Sequence, residues 1–357
     1  MKKMDKYLQS DISYLIENCK YLNNLDNKTI MITGATGLIG SLLIKTILEN
    51  NKIKNSNIKV LALCRNKDKF NNIFLDYLND ENLKIILQNM EYEIDIEEKV
   101  DYIIHTAAVT QSKLLVQFPV ENTMSAILGT KNILEFAKQK KVESMVYLSS
   151  MEIYGIFKES NLVSEETLGY LDLKNVRNGY PESKRICEFL CNAYAKEYGL
   201  NVKSARLAQT FGAGASLDDT RIFAHIAKSV INNENIVLKT EGLSEGNYCY
   251  ITDSIDAILT ILIKGIAGES YNVANEECHT TIRNMAQMVC EKIANNKIKV
   301  VFDIPEDISI NGFASDTKMK LSSSKLQKLG WKPTNNLQES YKKLILSYKE
   351  RIENNEE

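Results

Sequence analysis

Three glycines at three-residue spacing, Gly34, Gly37 and Gly40, follow a short apolar run, Thr29-Ile30-Met31-Ile32-Thr33. They open a helical pattern that continues from Leu38 to Leu48. A strand that enters a helix through such a turn has few folds open to it. The first glycine allows the tight turn, the second lets backbone approach a pyrophosphate, and the third permits close packing of helix on strand. The helix that follows offers unpaired N–H groups to an anion, with Thr36, Leu38 and Ile39 completing the cradle. A phosphate-loop nucleotidase would need Lys and Ser/Thr directly after the turn. Here Gly40 is followed by Ser41-Leu42, so that reading fails.

The same alternation continues along the chain. Ile58 to Cys64, Leu83 to Leu87, Val100 to His105, Ser144 to Leu148 and Val202 to Leu207 read as strands, most of them continuously apolar. Helical patterns at 66–79, 121–139 and 178–198 separate them. Buried strands alternating with helices imply a parallel sheet covered on both faces. The expected fold is α/β: a Rossmann-type doubly wound parallel sheet with a smaller C-terminal α/β substrate lobe. Residues 5–24 form an amphipathic helix ahead of it, a packing extension or an element for dimer formation or for covering the cofactor. The expected division is an extension over 1–27, a dinucleotide-binding domain over 28–207 to which 248–275 returns, and a substrate lobe over 208–247 and 276–357. Within that lobe helical patterns recur at 220–232, 253–264, 281–294, 322–329 and 337–350.

Composition excludes several classes of function. A net charge of −2 advertises no broad basic surface for nucleic acid or an anionic membrane. Seven cysteines without CxxC spacing and only three histidines argue against a metal site, and reduced thiols fit a cytoplasmic protein. No segment approaches the roughly 20 apolar residues of a membrane span, and no apolar stretch follows Met1-Lys2-Lys3.

A second motif, Tyr180-Pro181-Glu182-Ser183-Lys184, falls on the 178–198 helix. Positions i and i+4 share a helix face, so Tyr180 and Lys184 point into one cleft. The ammonium and a positive nicotinamide are expected to lower the phenol from its ordinary value of about 10, making a phenolate base feasible. Ser150 ends a core strand on the side where such sheets bind ligands, and its hydroxyl can reach the reacting oxygen. At the adenosine end the second strand closes on Leu63-Cys64-Arg65-Asn66-Lys67, with no acid before Asp68. Arg65, helped by Lys67 or Lys69, suits a 2′-phosphate and favours NADP over NAD; a solvated basic loop is the alternative.

With these residues in order, the chain resembles the extended short-chain dehydrogenases/reductases of the NAD-dependent epimerase/dehydratase family, which remodel nucleotide sugars. The likeness runs from about residue 28 to 345. It takes in the glycine turn, His105-Thr106-Ala107-Ala108, Gly129-Thr130-Lys131-Asn132 and Leu148 to Gly155. It continues through Tyr180 and Lys184, Arg206-Leu207 leading to Phe211-Gly212, Glu269 to Val273, Ser324-Lys325-Leu326 and Leu329 to Pro333. The resemblance implies that Tyr180 takes the proton of a sugar 4-hydroxyl while hydride leaves C4 for NAD(P)⁺. Lys184 would hold the nicotinamide ribose and Ser150 the 4-oxygen. Ala107, Ala108 and Asn89 join the cofactor side; Ser150, Met151, Tyr180, Gln209 and Arg221 form the substrate side.

The resemblance also gives Glu152 a role, because family 4,6-dehydratases and uronate decarboxylases carry a glutamate two positions past the Ser/Thr. It would serve as the C5 base; a polar strand-end residue without chemistry is the alternative. Met151 stands where some dehydratases carry an aspartate acid, and methionine donates no proton. Ala126 replaces a family asparagine, Asn89 an aspartate near the adenine, and Gly246 an arginine that meets the nucleotide diphosphate. Arg221 or Arg283 would then have to hold that diphosphate. The expected function is an epimerase or 4,6-dehydratase acting on a nucleotide-diphosphate sugar. An NADPH-dependent reductase and a non-enzymatic dinucleotide-binding module are the alternatives. The family also pairs the 121–139 helix and the one after Tyr180 across subunits, which implies a homodimer.

Overall fold

The computed structural model describes residues 4–159, 161–305 and 316–354. In chain order its strands are β1 (Thr29–Thr33), β2 (Lys59–Cys64), β3 (Leu83–Leu87), β4 (Tyr102–His105), β5 (Ser144–Ser150), β6 (Asn161–Val163) and β7 (Val202–Leu207). They are followed by β8 (Gln209–Phe211), β9 (Ile236–Leu238), β10 (Glu245–Tyr250), β11 (Ser270–Val273), β12 (His279–Thr281), β13 (Val300–Phe302) and β14 (Met319–Leu321). The helices of the first half are α1 (Lys6–Asn18), α2 (Leu38–Lys54), α3 (Lys67–Ile73), α4 (Ser112–Gln117), α5 (Pro119–Lys140) and α6 (Gly179–Tyr198). Those of the second half are α7 (Ile222–Asn232), α8 (Ile251–Lys264), α9 (Ile282–Lys292), α10 (Ser324–Gln327) and α11 (Leu337–Glu353).

The apolar run before the glycine turn is the middle of a seven-stranded parallel sheet, ordered β3-β2-β1-β4-β5-β7-β11. Strand residues alternate between its two faces. Ile30, Ile32, Val60, Ala62, Val146 and Leu148 pack with α1, α2 and α8, whereas Met31, Leu61, Leu63, Met145 and Tyr147 pack with α5 and α6. Both faces are therefore dry, which is why these strands read as apolar runs. The strand order turns back between β1 and β4, so the sheet opens there at its carboxyl edge. A second core gathers α7, α9 and α11 around β8, β9 and β10. Tyr248 to Tyr250 pair with β8 in a separate three-stranded sheet, while β11 forms the edge of the main sheet.

Three expected helices are shorter than their sequence patterns. The 66–79 pattern divides into α3 and a 3-10 turn at Leu75–Tyr77, and the 322–329 pattern is helical only over α10. The 5–24 helix stops at Asn18, where Cys19 is extended. A 3-10 turn, Leu22–Leu25, then buries both of its leucines. Their three-residue spacing fits the tighter helix, in which i and i+3 lie on one line.

Asp5 caps α1 by accepting from the N–H groups of Tyr7 at 3.1 Å and Leu8 at 2.9 Å. One polar residue on its buried face, Asp11, accepts from the Tyr250 hydroxyl at 2.7 Å and from Lys343 Nζ at 3.1 Å. The extension is thereby tied at one carboxylate to β10 and to α11. Replacing Asp11 by Ala leaves the Tyr250 hydroxyl without its acceptor and is expected to cost about 1–3 kcal/mol. Asp11→Asn keeps an acceptor and should cost less. Urea midpoints at constant m-value check both, and an unchanged midpoint for Asp11→Ala would contradict the tie.

Candidate active site

The glycine turn lies directly against the end of β4. Gly34 has φ of +63°, and a Cβ there would stand 2.8 Å from Ala107 Cα and 2.7 Å from Thr106 Oγ1. A Cβ on Gly40 would stand 2.5 Å from the Gly34 carbonyl oxygen. Short polar contacts hold this approach in place. Thr106 Oγ1 donates to the Thr33 carbonyl at 2.6 Å, and Ala107 N–H donates to Thr33 Oγ1 at 3.3 Å. His105 bridges Thr33 Oγ1 at 2.7 Å and Thr130 Oγ1 at 3.3 Å. Burial pushes the imidazole down to about 3, so it serves there as a neutral bridge. Gly37 begins α2 without a side-chain cap, which leaves the first-turn N–H groups of Leu38 to Gly40 for an anion. Such a cradle fits a dinucleotide pyrophosphate, with Thr36, Leu38, Ile39, Ala107 and Ala108 around it.

At the outer end of β2, Arg65, Lys67, Leu87, Gln88 and Asn89 line a cavity of about 240 Å³. No carboxylate lines it. Asp68 lies instead in the first turn of α3, which Asn66 caps through Lys69 N–H at 2.8 Å.

Ser150 ends β5, and Tyr180 and Lys184 lie one turn apart on α6. Ser150 Oγ accepts from Glu152 N–H at 3.2 Å, and the same hydroxyl favours the ionised form of the Tyr180 phenol. Lys184 is buried and donates from Nζ to the Leu148 carbonyl at 2.6 Å. Its ammonium lies 4.7 Å from the Tyr147 ring centre and 5.9 Å from that of Tyr180. Burial lowers Lys184 to about 8. The expected lowering of Tyr180 is not found in the chain alone. Burial, and then the Glu152 charge, push the phenol up to about 12, outweighing Ser150, Arg177 and Arg221. The reason is that desolvation of the phenolate dominates, while the ammonium is turned to a backbone carbonyl.

Farther along α6, Glu188 anchors the helix to the sheet. It accepts from Arg206 Nε at 3.1 Å, Arg206 Nη2 at 2.8 Å and Ser270 Oγ at 3.0 Å. Arg206 Nη1 also donates to the Tyr154 hydroxyl at 2.9 Å. None of this network was expected from sequence spacing.

Glu152 follows Ser150 in a 3-10 turn, Met151–Tyr154. Its carboxylate meets Arg177, a residue the motif reading missed: Nη2 donates to Oε1 at 3.0 Å and Nη1 stands 2.9 Å from Oε2. Only the position of Arg177, one helical turn before Tyr180, could have drawn attention to it. Met151 is packed among Ile153, Tyr154, Val163, Met319 and Leu321. Its Cε would stand 3.3 Å from a Cβ built on Gly246, so the two unusual residues occupy one place. Gln209 heads β8, level with Tyr248.

The two expected diphosphate cations separate. Arg221 precedes α7, forks onto Asp219 with Nη2–Oδ2 at 2.6 Å, stacks on Phe223, and acts electrostatically on Tyr180. Arg283 is held at the surface by Glu241, 2.6 Å from Oε2, and lies over Phe302. Among the described residues there is no cluster of metal-ligating side chains, and no helix is long and apolar enough to cross a membrane.

The sheet, the glycine cradle and the Ser-Tyr-Lys arrangement define a dinucleotide-dependent site. The sequence matches the NAD dependent epimerase/dehydratase family over residues 30–274, and the chain belongs to that family. It is similar to UDP-glucuronic acid decarboxylase 6 of Arabidopsis thaliana, 27% identical over 336 residues that cover 91% of this chain and 89% of the relative. It is also similar to dTDP-D-glucose 4,6-dehydratase of Homo sapiens, 26% identical over 342 residues, with 92% and 91% covered. Among solved structures, UDP-glucuronic acid 4-epimerase of Bacillus cereus, in complex with UDP-glucuronic acid and NAD, superposes with a TM-score of 0.75. That match, at 20% identity, covers 90% of this chain and 99% of the other, and it supports the fold alone.

Proposed function

We propose that the protein converts a nucleoside-diphosphate sugar by transient oxidation at C4, with no net consumption of its dinucleotide. The observation that carries this reading is the meeting of Ser150, Tyr180 and Lys184 beside the uncapped end of α2. When bound, the dinucleotide supplies the acceptor and donor for the C4 hydride. Tyr180 takes the proton of the 4-hydroxyl, Ser150 hydrogen-bonds the same oxygen, and Lys184 binds the ribose next to the nicotinamide. Burial keeps the phenol protonated in the chain alone, so proton transfer awaits a loaded site. Glu152 handles the C5 proton, made acidic by the neighbouring ketone. It removes that proton when water is lost from C6, or returns one to C5 after a uronate loses CO₂. Met151 can protonate no leaving group, which suits CO₂ loss better than water loss. Arg221, facing the site from α7, is the cation available for the diphosphate.

Proton NMR in D₂O with dTDP-glucose, UDP-glucose and UDP-glucuronic acid, plus catalytic NAD⁺ or NADP⁺, tests the reading. Solvent deuterium is expected at C5 of the product. Tyr180→Phe should slow turnover at least about 100-fold, and retained turnover would remove the assigned base. Glu152→Gln should lose C5 deuterium yet still move hydride at C4. Inversion at C4 without solvent deuterium would make the protein a simple epimerase.

The basic cavity favours a second reading for the cofactor and, with it, for the reaction. Arg65 and Lys67 suit a 2′-phosphate, and an NADP enzyme that consumes its cofactor would reduce a keto sugar. Calorimetry should show NADP⁺ binding more tightly than NAD⁺, with Arg65→Ala reducing the preference about tenfold. Equal affinities would leave NAD as the cofactor, and steady NADPH oxidation with a keto sugar would mark the reductase.

The outward faces of α5 and α6 carry Val120, Met124 and Leu128 at helical spacing beside Ile186 and the largely exposed Phe189. Adjacent helices presenting such a patch fit a second copy of the same pair. A homodimer is expected in sedimentation velocity, with Phe189→Glu giving monomer; a monomeric native protein would refute it.

A further inference from the structure

Two short turns meet at the mouth of the site. One, Met151–Tyr154, leaves the strand that ends in Ser150; the other, Val176–Asn178, leads into the helix that carries Tyr180. Their contact is the ion pair of Glu152 with Arg177. Arg177 is only 6% exposed. Its backbone is fixed as well, since Asn175 Oδ1 accepts from Arg177 N–H at 3.1 Å and Asn178 Nδ2 donates to the Asp172 carbonyl at 2.9 Å.

The guanidinium is not placed there to satisfy its own hydrogen bonds. Nε has no partner, and Nη1, although 2.9 Å from Oε2, lies off the direction a hydrogen bond needs. A buried cation with unspent donors is costly and is retained where its charge or its grip matters. Arg177 also lies over the Tyr180 ring, 5.7 Å from its centre. The charges acting on Tyr180 come from three directions: Glu152 opposes ionisation, while Arg177 and Arg221 favour it. Around them, the Ser150 hydroxyl also favours ionisation, the Lys184 ammonium lies 5.9 Å from the ring centre, and the buried Tyr147 phenol adds no cation.

We propose that Arg177 is a positioning residue: it fixes the Glu152 carboxylate at the mouth of the Ser150–Tyr180 site and offsets its negative charge beside the phenol. The inference deepens the C4-oxidation reading, and rests on it only in taking Tyr180 as the base. Glu152 can then stand close to a sugar with part of its effect on Tyr180 offset. The same pair ties the turn after Ser150 to the turn before Tyr180, so the two hydroxyls keep their separation.

The test uses the full-length protein labelled with [¹³Cζ]tyrosine and saturated with NAD⁺ or NADP⁺, with Tyr180 assigned by loss of its signal in Tyr180→Phe. Glu152→Gln is expected to lower the pH at which Tyr180 ionises by about one unit, and Arg177→Met to raise it by a similar amount. The double variant should return to within about half a unit of the native midpoint, because the two charges cancel. Glu152→Gln keeps the question open to decision even where Arg177→Met fails to fold. An unmoved midpoint in folded Glu152→Gln overturns the charge offset.

Arg177→Lys separates grip from charge. Its midpoint should stay near native, while C5 deuterium incorporation falls at least tenfold relative to C4 hydride transfer, because a single ammonium cannot hold both carboxylate oxygens. Full C5 exchange in Arg177→Lys overturns the positioning role. Should no sugar react, the C4-oxidation reading fails by itself, and the titration still decides whether Arg177 offsets Glu152.

Discussion

The close backbone approach of Gly34 to Ala107 is the constraint from which the rest of the site follows. It occurs where the strand order turns back, so the ends of β1 and β4 must converge while a helix departs between them. Any side chain on Gly34 would push the turn away from β4, and any on Gly40 would push α2 off the turn. With both absent, the uncapped end of α2 faces the same crevice that receives Ser150 from β5. Thr33, His105 and Thr106 lock the approach with hydrogen bonds that a neutral imidazole can bridge. Burial disfavours the charged form, which is the physical meaning of the lowered His105.

Once the crevice exists, ion pairs set α6 against it. Glu188, midway along α6, clamps it to Arg206 on β7, and Arg177, just before the helix, meets Glu152. Lys184 lies between them, its ammonium spent on the Leu148 carbonyl. The helix is thus held at three heights against two strands. Burial that rigid has an electrostatic consequence: Tyr180 and Lys184 are both pushed toward their neutral forms, the phenol upward and the amine downward. Burial therefore makes the phenol hold its proton more tightly than an exposed tyrosine does.

Much of this was legible in the amino-acid order, and the limit is instructive. The glycine turn, the parallel strands and the Tyr180–Lys184 face depend on spacing within one element, and spacing is what a sequence displays. Arg177 pairs with Glu152 across 25 residues, and Arg206 with Glu188 across 18, through contacts that no period encodes. Helix ends failed for a related reason. Leu22 continues an apolar period begun in α1, yet the chain buries it through a 3-10 turn, in the core it shares with α1 and α2. The direction of the Tyr180 shift was also out of reach, since desolvation is a property of the packed cleft.

The substrate side shows how two departures from a family pattern can be one event. Read separately, Met151 lacks an acid and Gly246 lacks a cation. In the structure the Met151 methyl would stand 3.3 Å from a Cβ on Gly246, 95 positions away, so a side chain at 246 would press on it. A long cationic chain at 246 would have to displace Met151 from the small core it shares with Ile153 and Val163. The space is therefore filled from the β5 side by an apolar, flexible group. Arg221, at the start of α7, acts on Tyr180 and is already braced by Asp219. A diphosphate gripped by Arg221 would be oriented from the start of α7 and not from β10.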